Sequence, residues 1–314
     1  MVDMLSRAVF SMLAGSGLLK KVASRYGMRQ PHSFARRFVA GETLEEAIAA
    51  SLALERSGLT VTMDLLGEQV TTAEPAAAAT QAYIGVIRAA AAAGVSRNLS
   101  VKLTQIGLDI DRATCTDNLR RIVEVAGEMD FFVRIDMEGS AYTELTLQTF
   151  ESVWSIGSRN IGVVIQAALR RSAEDVKRMN ALGARVRLVK GAYREPRDVA
   201  FQRKEEVDAQ FINLMQLLLA DGRYPAIATH DPAIIDRTRQ VGDTLGLARD
   251  GFEFQFLYGI RRDLQLSLAT AGYPVRVYVP FGREWFAYFM RRLGERPANV
   301  AFVLKSLVRE ERAT

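Results

Sequence analysis

The sequence predicts an α/β protein, a closed (β/α)8 barrel of TIM type with a helical extension at its N-terminus, and three observations predict it. From residue 59 onward, short runs rich in Val, Ile, Leu and Phe alternate with longer amphipathic stretches rich in Ala, Glu and Arg. That rhythm belongs to parallel strands joined by helices. Eight such apolar runs occur, the number that closes a barrel. The turn after the first run, "DLLGEQ", has one glycine, whereas an open doubly wound sheet carries a glycine-rich phosphate turn there. A chain of 314 residues is long for one domain, but barrels of this kind reach that size, and no Pro-rich or Ser-rich linker interrupts it. The expected organisation is an extension over residues 1–58 packed on a catalytic barrel over 59–314 that includes the C-terminal helix.

In chain order, residues 4–22 read as a helix able to bury Leu5, Val9, Met12, Leu13 and Leu19 against the body or against lipid headgroups. Its apolar stretch, Ala8 to Leu19, is too short to span a bilayer, and Lys20 and Lys21 follow it, which argues against a cleaved secretory signal. Residues 28–57 predict a further helical region beside or beneath the barrel, opened by Thr43 with Glu46 three positions on in a capping-box pattern. Strands are expected at 59–67, 98–105, 131–138, 161–168, 185–192, 225–231, 252–259 and 275–282. Between them lie helical patterns near 75–94, 115–128, 143–156, 173–182, 203–221, 232–246 and 261–271, with an eighth helix at about 283–294.

Composition excludes several function classes. With 49% hydrophobic and 25% charged residues the chain must fold around a large core. Its formal net charge of +5 and pI near 9.4 favour anionic ligands or an anionic membrane surface. No aromatic-studded basic motif or zinc-finger spacing points to nucleic acid. Cys115 is the sole cysteine, so no intrachain disulfide is expected; a structural cysteine in a reducing, cytoplasmic setting fits. His32 and His230 are the only histidines, and no metal site is expected from them.

Chemistry in such a barrel gathers at the C-terminal ends of the strands. The polar residues fall there: Asp64 and Glu68, Lys102, then Arg134, Asp136 and Glu138, then Gln166. Further along come Arg187 and Lys190, Thr229, His230 and Asp231, Glu253 and Gln255, and Tyr278. Unpaired burial of such groups costs on the order of a few kcal/mol each, so ion pairing within the barrel or a ligand is required. Residues 190–194, "KGAYR", resemble an anion-binding turn, because Gly191 and Ala192 leave the backbone open. Lys102 or Lys190 could alternatively serve as a Schiff-base lysine, if burial lowered its pKa. On the last helix Tyr288 precedes Arg291 by three positions and Arg292 by four, so all three can share a broad face. That face offers forked donors to a carboxylate and a ring to cover an apolar substrate; a solvated basic helix is the other reading.

Taken together, "MDLLGE", "RIDMEGSAYT", "RLVKGAYRE", "ATHD", "FEFQFLYGIR", "VYVPFG" and "YFMRRL...RPANVAF" resemble the proline dehydrogenase family, in the family's order from about residue 59 to 304. The length is similar to that of the short, single-function bacterial members. The resemblance implies FAD-dependent oxidation of L-proline to Δ1-pyrroline-5-carboxylate, with hydride transfer to FAD N5 and electrons passed to a membrane quinone. Peripheral association with the inner face of the cell membrane would follow. It also implies that Arg291, Arg292 and Lys102 hold the proline carboxylate, that Tyr278, Tyr288 and Leu257 wall the ring, and that Asp136 orients Lys102. Glu68 would pair with Arg291 as a gate. Gln166 and Arg187 would reach the flavin ring, Lys190, Gly191 and Ala192 its pyrophosphate or ribityl region, and Thr229 and His230 its phosphate or adenine side. The competing expectations are another flavin barrel of the methylenetetrahydrofolate reductase type, a Schiff-base barrel aldolase, and an inactive barrel that serves as a binding module.

Overall fold

The computed structural model describes Met28 and residues 33–295, so the expected helix over 4–22, His32 and the "RPANVAF" segment lie outside the described residues. Eight parallel strands close in sequence order: β1 (Thr60–Leu65), β2 (Asn98–Val101), β3 (Phe132–Ile135), β4 (Ile161–Gln166), β5 (Arg185–Val189), β6 (Ala226–Ala228), β7 (Glu253–Leu257) and β8 (Val275–Phe281). Closure is made by β1 against β8, whose register runs from Thr60 opposite Arg276 to Leu65 opposite Phe281. Each strand lies inside its expected run and is shorter. Lys102, Asp136, Lys190 and Thr229 therefore stand just beyond their strands, at the mouth of the barrel.

The helices are α1 (Leu44–Glu55), α2 (Ala73–Ala92), α3 (Arg112–Glu128), α4 (Thr143–Ser155), α5 (Ser172–Leu182), α6 (Lys204–Asp221), α7 (Pro232–Thr244), α8 (Arg262–Thr270) and α9 (Trp285–Glu295). The Thr43 capping box is formed: Glu46 N donates to Thr43 Oγ1 at 3.3 Å and Thr43 N to Glu46 Oε2 at 3.2 Å. One continuous core fills the space between the outward faces of the strands and the helix ring, where Val61, Met63, Leu99, Val133, Phe254 and Val277 are buried. Among the described residues no helix is long and apolar enough to cross a membrane.

The last βα unit departs from the regular ring. Helix α1, from the extension, packs against both β1 and β8, the groove that the helix after β8 would otherwise fill. That leaves α9 to lie across the mouth. Its spacing explains the placement: Trp285, Phe289 and Leu293 repeat every four residues, with Phe286 and Met290 beside them, and all are buried. They form a second apolar cluster with Met28, Ala35, Phe38, Val39 and Leu66, apart from the barrel core. Trp285 Nε1 donates to Glu42 Oε1 at 2.8 Å, and a Cβ on Gly259, whose φ is +72°, would collide with the Arg37 carbonyl. The extension thus both completes the ring and supplies the seat for α9.

Candidate active site

The interior side chains meet across the barrel. Arg187 on β5 donates to Ser100 Oγ on β2 at 3.1 Å, to Asp136 Oδ1 after β3 at 2.7 Å and to Gln255 Oε1 on β7 at 2.5 Å. None of those strands neighbours β5, so the contacts run through the lumen. Above them Lys102, 5% exposed, donates to Asp64 Oδ1 at 2.6 Å and to the Tyr278 hydroxyl at 3.3 Å, with Asp136 Oδ2 at 3.6 Å. Tyr278 donates to Asp136 Oδ2 at 2.6 Å, and the Arg187 guanidinium lies 5.3 Å from the Tyr278 ring centre.

Burial works against the Lys102 charge, but the carboxylates of Asp64 and Asp136 outweigh it and hold the ammonium above its ordinary range. Lys102 is thus a cation and not a free amine, which removes the Schiff-base expectation for it. Burial pushes Asp64 up in turn. It does the same to the Tyr278 phenol, with Asp136 adding to it, so Tyr278 stays a donor.

Over this cluster a cavity of about 280 Å³ is lined by Gly67, Glu68, Lys102, Gln105, Tyr288 and Arg291, among others. Arg291 NH1 meets Glu68 Oε1 at 2.8 Å, which joins the last helix to the loop after β1. The Tyr193 ring lies 6.0 Å from the Arg291 guanidinium. Arg292 is 7% exposed and stands 5.1 Å from the centre of the Tyr288 ring. Arg291 lines the cavity directly, and Arg292 stands behind it against the ring of Tyr288, which also lines the cavity.

The ends of β4, β5 and β6 gather the remaining expected residues. Gln166 Nε2 donates to the Glu138 carbonyl at 2.9 Å. Lys190 is held between Asp208 and Asp231, so its charge is already matched. Gly191 has φ +107°, and a Cβ there would come within 3.1 Å of Gln166 Oε1 and 3.2 Å of Ala168 Cβ, so a bare backbone is required at this turn. Ala192 beside it is exposed. Thr229 Oγ1 accepts from Asp231 N at 3.2 Å, and His230 Nε2 accepts from Leu257 N at 3.0 Å. Leu257 is paired in register with Tyr278. The open turn, the buried Gln166 amide and the cationic Arg187 form a donor set suited to the ring and linker of a flavin.

Asp136 stands beside Lys102 at 3.6 Å, and Asp64, fully buried beneath, pairs with it more closely at 2.6 Å. Its signal was present, since Asp64 is an acid inside an apolar strand that shares a face with Thr62. Lys190, expected as a donor to an anionic ligand, is already engaged by two carboxylates. Gln105 and Thr104 had weaker signals, lying at the end of the run expected as the second strand, and Glu138, one of the polar residues expected at the mouth, meets Thr104 only once the loops are assembled. Among the described residues no group of three or more His, Cys, Asp or Glu side chains is placed to hold a metal.

Comparison with known proteins gives one consistent result. The family model described as proline dehydrogenase matches residues 47–305. Proline dehydrogenase 1 of Bacillus subtilis strain 168 is 44% identical over 304 residues, covering 97% of this chain and 99% of that one. Proline dehydrogenase of Deinococcus radiodurans is 40% identical, covering 98% of this chain and 100% of that one. Among solved structures, proline utilization A (PutA) of Bdellovibrio bacteriovorus, inactivated by N-propargylglycine, superposes with a TM-score of 0.78 at 27% identity. It covers 83% of this chain, which spans 32% of that larger protein.

Proposed function

The chain belongs to the proline dehydrogenase family and oxidises proline in proline catabolism, and we propose that it uses FAD to convert L-proline to Δ1-pyrroline-5-carboxylate through the residues at the barrel mouth. Family membership also displaces the folate-reductase, aldolase and binding-module expectations. When bound, the flavin would supply the two-electron acceptor for the hydride that leaves proline. Gln166, Arg187 and the open turn at Gly191 and Ala192 would hold it, with Lys190, Thr229 and His230 toward its phosphate end. Arg187, a cation near the ring, would stabilise negative charge there.

The protein's own part is binding, orientation and exclusion of water. Arg291, Arg292 and Lys102 would bind the carboxylate of proline, and Tyr278, Tyr288 and Leu257 would wall its ring. Asp64 and Asp136 keep Lys102 charged, which an anion partner requires. Glu68 and Arg291 act as a gate, their ion pair closing the cavity over the substrate. The C–H bond at C5 of proline, the ring carbon on the far side of nitrogen from the carboxylate-bearing carbon, breaks with its electron pair only if the ring nitrogen is unprotonated and free to form the C=N bond. Lys102 and Arg291, both cations that face the cavity, favour that neutral amine. The observation that supports this reading most is Lys102, buried and held charged between two carboxylates in a cavity also lined by Arg291.

The barrel over 59–314 is read as the catalytic unit and residues 1–58 as an extension seated on it, supported by the packing of α1 on β1 and β8. A membrane quinone is read as the electron acceptor, with peripheral association at the inner face of the membrane. The formal charge of +5 supports it, as does the apolar segment at 8–19, which lies outside the described residues.

The test is Arg292→Lys, which keeps the charge and removes the planar fork. It should lower kcat/KM for proline by roughly 2 to 5 kcal/mol while leaving turnover of pyrrolidine, which has no carboxylate, little changed. Equal proportional losses for both substrates would show that Arg292 does not read the carboxylate.

A further inference from the structure

Glu68 is held from both sides by the turn that follows β2. On its N-terminal side the Gln105 amide nitrogen faces the loop and donates to the carbonyls of Leu65 and Gly67, each at 3.1 Å, the orientation that satisfies both ends of the amide. Gly67 has no room for a side chain, because a Cβ would run into that amide. On the C-terminal side Gln69 N donates to Thr104 Oγ1 at 3.0 Å and Val70 N to the Thr104 carbonyl at 3.0 Å. Gln69 has φ +60°, a conformation uncommon for a residue with a side chain, so the loop is bent to reach these partners.

Thr104 is itself fixed. Its N–H and its hydroxyl donate to the two oxygens of Glu138, at 3.1 Å and 2.6 Å, and Thr104 is fully buried. A hydroxyl has one proton and two lone pairs. With the proton given to Glu138, a lone pair remains for Gln69 N–H. Thr104 follows Lys102 by two residues, so one short turn ties the gate loop to the strand that ends in the ammonium.

We propose that Thr104 is a positioning residue, with Gln105 as a second tie, that sets Glu68 against Arg291 and so controls how tightly the cavity closes over a ring carboxylate. Thr104 does not line the cavity and acts through Glu68. The inference rests on the gate reading of the Glu68 and Arg291 pair given above.

The experiment uses the flavin-loaded enzyme and a double-mutant cycle. The probe is cyclopentanecarboxylate, which has the ring and the carboxylate but no amine to oxidise, with proline KM and kcat measured alongside. Thr104→Val should weaken the probe and raise proline KM about 3- to 10-fold, the scale of one lost hydrogen bond, with kcat and flavin content nearly unchanged. Thr104→Ser, which keeps the hydroxyl, should restore wild-type values. In a Glu68→Ala background, Thr104→Val should add less than about twofold, because the residue it positions is gone. If Glu68→Ala weakens the probe and Thr104→Val does not, this inference fails and the gate stands. A full Thr104→Val effect without Glu68 also overturns the inference. If Glu68→Ala leaves probe binding unchanged, the gate itself fails. Should Thr104→Val not fold, Thr104→Ala, which also removes the hydroxyl, enters the same cycle with the same expectations.

Discussion

The floor and the mouth of the barrel both bury cationic side chains beside carboxyl groups, yet they hold their carboxyls in opposite directions. At the floor Glu253 meets Arg276 Nε with both oxygens at 3.1 Å, and Arg276 NH1 is anchored on the Val61 carbonyl at 2.8 Å. Arg134 lies close by, donating to the carbonyls of Val163 and Arg185. Burial alone would raise the Glu253 pKa, but Arg276 and Arg134 outweigh it and hold the carboxyl below its ordinary value. At the mouth, burial wins: Asp64 and Glu138 are both pushed up in spite of Lys102 and Thr104. Cations outnumber carboxylates at the floor and do not at the mouth. The floor is therefore complete in itself, while the mouth keeps charges whose burial is only partly offset, as a site that must receive a ligand does. Gln255 joins the two, bonded to Glu253 on one side and Arg187 on the other.

The sharpest break in this comparison comes at the floor. Glu253→Ala leaves Arg276 and Arg134 buried without an anion and should destabilise the fold by about 3 to 5 kcal/mol in urea unfolding at neutral pH. Glu253 has a folded pKa below its ordinary 4.5, so its contribution is present above 4.5 and is lost as the pH falls through the folded value. The gap between variant and wild type should narrow in acid. A variant as stable as wild type at pH 7 would show that the floor pair contributes nothing net.

Asp64→Asn tests the mouth. It keeps the shape and removes one of the two charges beside Lys102, so kcat/KM for proline should fall by about 1 to 2 kcal/mol while stability changes less than for Glu253→Ala. Burial raises the Asp64 pKa above the ordinary 3.8, so the difference from wild type should shrink as acid protonates Asp64. Stability lost with no change in kcat/KM would place Asp64 with the floor in kind.

The smallest effect is expected from Glu138→Gln, within about 1 kcal/mol in stability, since a neutral amide replaces a carboxyl that is costly to ionise. Here the sign opposes that of Glu253. With a folded pKa above the ordinary 4.5, the Glu138 contribution is full below 4.5 and is lost as the pH rises through the folded value. The variant should therefore gain on wild type as the pH is raised from acid toward neutrality. A stability difference that moves the other way would mean that Glu138 is stabilised as a carboxylate.

How much of this was legible beforehand differs by element. The eight strands and the helices between them could be read because apolar alternation is a local signal, carried by residues a few positions apart. The Thr43 cap was legible for the same reason, as its partner is three residues away. Motif resemblance located the site residues on their strand ends. It did not say that Lys102 sits on Asp64, 38 residues earlier, or that Arg187 reaches Gln255, 68 residues later.

The sequence by itself determined the barrel, its strand order and the polar residues at its mouth, since each follows from periodicity and from residue type. Only the tertiary structure decided the position of the last helix. Its amphipathic face is equally suited to the groove beside β8 or to the mouth, and α1 settles the choice by filling that groove first. The pairing of the buried charges was decided the same way. Closure of the barrel brings strands that are not neighbours face to face across the lumen, and no local pattern encodes which side chain of one will meet which side chain of another.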